Sequence, residues 1–477
     1  MVNVTSVARS SVVAEDRWSG RLVGWLVILV VANLLADMVV VAPLLALPQI
    51  LQHFQTDQAA WLNVSAMLAG AMWAPLLGRS ADIHGKRRIL VATLAVTFVG
   101  SVVCLVAPNV IVFVLGRFLQ GAAMGAVLLT VAIARQICGP RVGMIAVGIV
   151  TSGASVLGVG ALFVLTPAID EFGHQSVFVG AAVLALICGI AVRLFIPEPS
   201  IRTTGSIDVA GALLLGSGLI AVLGYVSLAP DLGWANAGLL VMLVVGAAAL
   251  VGGVRHVLRV AEPIIDLRRI SAPLALALGS VALGAGSVQS MLQLKSLVGE
   301  VPPELGLGYG LGGGGGDAVL MSFALAAVGI LTGGSLAGLL ASRIGPARTL
   351  LAGSVIGVLA TFAMLVGVSV LAVGLACATL LGVAVGAIIA SGFNLATSMA
   401  PPEHHGSTGS LMAVTLSIGS VTLNMVGAMV LNATATDTLI GGVPANSLTG
   451  VQLYVVMSGV ALAAAAVLAT VLVRRRR

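Results

Sequence analysis

Three side chains stand out because they are charged or polar inside otherwise apolar stretches. Asp37 sits in "NLLADMVVVAPLLALP", and Arg117 and Gln120 sit in "RFLQGAAMGA". A carboxylate buried in lipid costs at least ~2.5–3.5 kcal/mol on insertion scales, so Asp37 is expected to face a cavity or a partner. A desolvated carboxylate can exchange its proton near neutral pH, the property that proton coupling requires. Arg117 is the expected partner. It lies about 8 residues, ~12 Å, from the end of its apolar stretch, and Asp37 about 11 residues, ~16 Å, from the end of its own. Gln120 is one helical turn from Arg117, on the same face. Asn33 lies four residues before Asp37. Gln289 and Gln293 form an i, i+4 pair, and Asn63, Asn394 and Asn424 are further amides within apolar stretches. Each can bind cargo or join helix to helix by hydrogen bonds. Met425 and Met429 share a face, where flexible thioethers suit either a promiscuous pocket or simple packing.

A second cluster lies in "LGRSADIHGKRRIL", residues 77–90. Gly78 and Gly85 permit close approach and unusual φ in a tight turn. Asp82 can accept hydrogen bonds from bases or from a helix N-terminus. With Lys86, Arg87 and Arg88 it forms a candidate conformational latch, worth ~1–3 kcal/mol between two states. The alternative is that these bases only set topology.

The elements that must carry these residues follow from composition. The chain has 477 residues, 59% apolar and only 8% charged. A soluble protein of this length needs far more charge on its surface. Apolar runs of about 20 residues recur, the length that crosses a ~30 Å hydrocarbon core as a helix. Fourteen spans are expected, near 22–49, 59–78, 89–107, 109–134, 142–168, 175–196, 209–229, 236–258, 272–298, 317–341, 347–366, 369–398, 405–432 and 448–473. With both termini on one side, every Lys and Arg except Arg117 and Lys295 falls on that side, 21 of the 23. The opposite loops carry acids alone. This bias places both termini in the cytoplasm and the chain in the inner membrane, with no cleaved leader expected. Lys295, near an outer end, is expected to snorkel or to pair with Glu300.

An internal repeat supports a two-part plan. Gly78, Asp82, Gly85 and Arg88 recur in spacing as Gly338, Ser342, Gly345 and Arg348. Two related halves around a midplane site are a common transporter design. The expected organisation is a six-helix bundle over residues 1–200, two linker helices with an inner loop over 201–270, and a second six-helix bundle over 271–477.

The chain resembles the major facilitator superfamily, and within it the fourteen-spanner drug:proton antiporters. "GRSADIHGKRRIL" is similar to the family's loop motif G-x-L-A-D-R-x-G-R-K-x-x-L through Gly78, Ala81, Asp82, Gly85, Lys86, Arg87 and Leu90; Ser80 and Ile83 depart from it. "RFLQGAAMGA" resembles the fourth-helix motif R-x-x-Q-G. "ADMVVVAPLLALP" resembles the first-helix signature, with Asp37 in the acidic place. "GSIDVAGALLLGSGL" and "AEPIIDLRRI" resemble the segments around the extra helix pair. The G-P-x-x-G-G motif usual in the fifth helix of antiporters is absent from "ALFVLT", which leaves facilitation open. The resemblance implies an all-α major facilitator fold and a proton-coupled exporter of amphipathic drugs. Its partners are protons, a small-molecule substrate and membrane lipids, and it is expected to act as a monomer. Export or facilitation of one endogenous lipid or metabolite is the alternative within transport, and a non-transporting receptor or sensor the alternative outside it.

Other signals are weak. Cys104, Cys138, Cys188 and Cys377 have no metal-ligand spacing, and His404 and His405 are merely adjacent. "GLGYGLGGGGGD", from Gly306, contains no G-K-[ST] and reads as a flexible external loop. The basic excess is topological, so nucleic acid is not an expected partner. No cofactor, metal or enzymatic triad is expected.

Overall fold

The computed structural model describes residues 17–55, 59–265, 268, 270–311, 317–440 and 443–475. Sixteen α-helices fill the described chain. They are α1 (Gly20–Leu45), α2 (Leu47–Phe54), α3 (Ala59–His84), α4 (Lys86–Leu105), α5 (Val110–Gln120), α6 (Gly125–Ile137), α7 (Pro140–Phe172) and α8 (Gln175–Phe195). Then follow α9 (Val209–Leu232), α10 (Ala237–Val257), α11 (Ala272–Glu300), α12 (Asp317–Ile344), α13 (Pro346–Gly367), α14 (Leu371–Met399), α15 (His405–Ala433) and α16 (Leu448–Arg475). A small antiparallel hairpin, β1 (Ala435–Ile440) with β2 (Val443–Asn446), joins α15 to α16. The expected all-α reading is corrected by that hairpin.

Helix starts follow local chemistry. Ser19, Asn109, Asp208, Asn236 and Ser271 each accept a backbone N–H with a side-chain oxygen at an N-cap, which satisfies donors that a helix leaves orphaned. The fourth expected span is two helices, since the chain tightens to a 3₁₀ turn over Gly121–Met124 between α5 and α6. The first expected span breaks at Ala46, before the short α2.

Among the described residues, thirteen stretches are long and apolar enough to cross a membrane. The second of the fourteen expected spans is α3, which is not among them; its last turns carry Arg79, Asp82 and His84. Val241, Val244 and Val245 of α10 lie exposed along the outside, as a helix facing hydrocarbon requires.

Hydrogen bonds gather the loops at two opposite faces. On the basic face, Thr203 N donates to the Asp82 carbonyl, and Gln136 Nε2 to that of Pro402. On the other face, Tyr309 Oη donates to the Asn446 carbonyl and Gly310 N to that of Val368. The glycine-rich segment is therefore tied down at least as far as residue 311. Helices α9 and α10 pack on each other, and α9 lies against both α3 and α15. Near the basic face the backbones of α7 and α12 come into close contact at glycines. A Cβ on Gly148 would fall inside the Gly334 carbonyl oxygen, and one on Gly338 would lie 2.7 Å from the Met144 carbonyl oxygen.

Candidate functional site

The α1–α5 site is built around a proline. Pro43 lies inside α1. It has no N–H, so the carbonyl four residues earlier, that of Val39, loses its helical partner. Arg117 takes that place: Nη1 donates to the Val39 carbonyl at 2.7 Å and to Gln120 Oε1 at 2.9 Å. Gln120 Nε2 donates in turn to Ser101 Oγ at 2.8 Å. Arg117 is wholly buried and Gln120 nearly so. The guanidinium thus holds α1 to α5 through backbone and amide.

Asp37 is not in that network. The expected Asp37–Arg117 ion pair is absent, and Asp37 has no hydrogen-bond or ion-pair partner among the described residues. Asp37 is exposed although α1 is apolar around it. Gln289 and Gln293 of α11 are exposed in the same way. Hydrocarbon is a poor surrounding for such groups, so all three fit the walls of a water-filled opening.

The other amides are mostly helix-to-helix ties. Asn33 is buried, with Nδ2 donating to the Val150 carbonyl at 2.8 Å and Oδ1 accepting from Thr130 Oγ1 at 2.9 Å. Asn394 is buried and donates to the Met144 carbonyl at 3.2 Å. Asn424 is half-buried and donates back to the Ser420 carbonyl. Met425 is half-buried as well. The side chain of Asn63 lies outside the described residues.

At the basic face Asp82 caps a distant helix. Its Oδ1 accepts from Gly406 N at 2.8 Å, and its Oδ2 from Ser407 N at 2.7 Å and Ser407 Oγ at 2.6 Å. These donors open α15, so a carboxylate meets the positive end of that helix. Lys86 Nζ lies 3.4 Å from Asp82 Oδ1, and both side chains are sealed from solvent. Gly78 lets α3 reach α15: a Cβ there would sit 2.6 Å from the Gly406 carbonyl oxygen. Gly85 turns the chain with φ of +109°, and a Cβ would lie 2.5 Å from Glu198 Oε1. Arg87 Nε pairs with Glu198 at 3.5 Å, and Nη1 donates to the Ile196 carbonyl. The expected cluster loses one member: Arg88 is exposed and bonds to nothing among the described residues. A residue missed from sequence, Glu262, stands 3.9 Å from Arg79. Hydrogen bonds from the Ser206 backbone and hydroxyl hold its carboxyl below the usual carboxylate range, with Arg79 adding to the effect. Glu198 was missed as well, although it follows α8 in a short polar run.

Residues 27–421 match the family described as the Major Facilitator Superfamily. Over 248 residues the chain is 30% identical to the "Multidrug resistance protein B homolog" of Mycobacterium tuberculosis, covering 50% of this chain and 45% of that protein. Over 166 residues it is 36% identical to a "Triacylglyceride transporter" of Mycolicibacterium hassiacum, covering 33% of this chain and 30% of that protein. The chain thus matches less than half the length of either relative. The crystal structure of the E. coli fucose:proton symporter superimposes with a TM-score of 0.62 at 14% identity, covering 95% of this chain and 97% of that one.

Proposed function

Because the chain belongs to the Major Facilitator Superfamily, and so is a multi-pass membrane transporter rather than an enzyme, we propose that it exports amphipathic small molecules in exchange for protons. The observation that carries this reading is Asp37, an exposed carboxylate inside an apolar helix with no partner among the described residues, on a molecule whose Asp82–Lys86 contact at the basic face is sealed from solvent. In this reading α3 completes fourteen spans. Residues 1–200 and 271–477 are two halves that rock about a midplane cavity, and α9 and α10 link them. The basic face is cytoplasmic, by the lysine and arginine bias, and both termini lie there in the inner membrane.

In this reading the cycle runs as follows. With the basic face closed, Asp37 meets water from the outside and takes a proton. Once neutral, it can enter the contact between halves at a lower desolvation cost. Closing the outer side favours opening the inner one, which strips Asp82 from the α15 terminus. Asp37 then releases its proton inward, and cargo replaces it among the exposed groups, Gln289 and Gln293 included. Arg117 and Gln120 keep α1 straight enough to present Asp37 throughout.

Ethidium transport into inside-out proteoliposomes tests the reading. Wild type should accumulate the dye when a proton gradient is imposed. Asp37→Asn should lose at least about tenfold of that accumulation, with membrane insertion intact. Undiminished gradient-driven transport by the variant would remove Asp37 from the motor. A second reading, export of one endogenous lipid, draws on the relative named a triacylglyceride transporter. It is favoured if the wild type carries labelled triacylglycerol and ignores ethidium.

A further inference from the structure

Only two of the chain's 23 basic residues are lysines, Lys86 and Lys295; the other 21 are arginines. Both lysines are sealed inside the protein, with 1% and 2% of their surface exposed. The choice of residue matters chemically. A guanidinium stays protonated in proteins, whereas a lysine amine can give up its proton. Lys86 has the Asp82 carboxylate beside it. Lys295 has no carboxylate partner among the described residues. Its one hydrogen bond there runs from Nζ to Ser322 Oγ of α12, at 2.9 Å.

The position expected for Lys295 was an aqueous edge. The structure closes that route. Leu311 N donates to the Val298 carbonyl and Gly310 N to that of Val368, which stitches the 306–311 segment over the end of α11. Tyr309 and Leu311 of that segment are themselves buried. The amine therefore cannot snorkel. Glu300, the other expected partner, has its side chain outside the described residues.

Among the described residues the surroundings hold little charge; the side chains of Glu300, in the last turn of α11, and Asp317, at the start of α12, lie outside them. Ser322 faces Lys295 from α12, and Cys377 lies beside it from α14. From α16, Tyr454 is engaged with Ser290. The charged or titratable groups of α13 and α15, Arg348 and His405, sit at the basic ends of their helices, as do Arg474 and Arg475 of α16. In the capping loop Glu304 is exposed. Ser322 suits either protonation state, because a hydroxyl both donates and accepts. Gln293, two residues earlier and on nearly the opposite side of α11, is exposed.

We propose that Lys295 is a second proton-binding site, in the C-terminal part of the chain, that holds a proton in one conformation of the cycle and gives it up in another. The proposal deepens the proton-coupled reading and rests on it for its biological role. No covalent change is involved; the proton passes between the amine and water.

The scarcity of lysine makes the test direct. The full chain, labelled with [ε-13C]lysine and placed in lipid nanodiscs, should give two side-chain signals. Lys295→Met identifies one by its loss and, having removed a sealed charge, should fold. The Lys295 signal should move between the ammonium and amine positions as pH is raised from about 5.5 to about 9.5. A signal fixed at the ammonium position over that range overturns the proposal. Lys295→Arg, which keeps its proton, should slow gradient-driven ethidium transport at least about tenfold, measured beside Lys295→Met as a folding control. Wild-type transport by the arginine variant also overturns the proposal, even if the signal titrates. Failure of the Asp37 reading would appear separately, as full coupling in Asp37→Asn with the Lys295 signal still titrating.

Discussion

The two copies of the loop repeat share a turn and differ in what the turn does. In both, a glycine lets one helix touch the start of a helix from the other part of the chain: Gly78 against Gly406 of α15, and Gly338 against Met144 and Ile145 of α7. In both, a second glycine takes positive φ, +109° at Gly85 and +88° at Gly345. The first copy then carries Asp82, which binds the N-terminus of α15. The second carries Ser342, whose hydroxyl turns back to the Leu339 carbonyl of its own helix. The start of α7 has no side-chain cap and begins instead at a proline, which needs one donor fewer satisfied. One geometry thus serves two purposes. Both copies bring backbones together, and only one adds an electrostatic lock.

That contrast can be broken at Asp82 first. Asp82→Asn leaves Lys86 buried without its counter-charge and weakens the cap on α15. Removing one member of a buried pair costs about 3–5 kcal/mol. Thermal unfolding in detergent should show a clear loss of stability, and spin labels flanking residues 86 and 405 should move apart. Unchanged stability and distance would show that the two copies are mechanically equal. The glycines sharpen the comparison. Backbone of this kind costs a non-glycine residue about 1–3 kcal/mol. Gly85→Ala adds a collision with Glu198, whereas a Cβ on Gly345 meets nothing within 4 Å. Gly85→Ala should therefore lower the melting temperature more than Gly345→Ala, and equal shifts would remove the Glu198 contact from the account.

Much of this architecture was legible in the chain. Apolar run lengths placed the helices because a hydrocarbon solvent leaves backbone no other option. Asp82 and Gly78 were legible because a tight turn and a buried acid have few alternatives. Their target was not, since 324 residues separate Asp82 from Gly406 and no local pattern links them. The error at Arg117 is instructive. Charge and depth suggested Asp37 as its partner, whereas the guanidinium donates to the Val39 carbonyl and to the Gln120 amide oxygen. The signal was present in Pro43, whose missing N–H frees the oxygen of Val39 four residues back. Asn33 and Asn394 were left open between cargo and structure, and the structure shows both engaged with other helices. Lys295 looked like an edge residue because the segment folded over it has no apolar period to betray burial.

The central claim is that Asp37 is open to water from the acidic face while the basic face is shut. Replacing Asp37 with cysteine allows the most direct test, because the four native cysteines are free and buried. A membrane-impermeant maleimide should label Asp37→Cys from the outside of intact cells, and faster than from the cytoplasmic side in inverted vesicles, where only the inward-open part of the cycle exposes it. Labelling from the cytoplasmic side alone, or from neither side, would contradict the account.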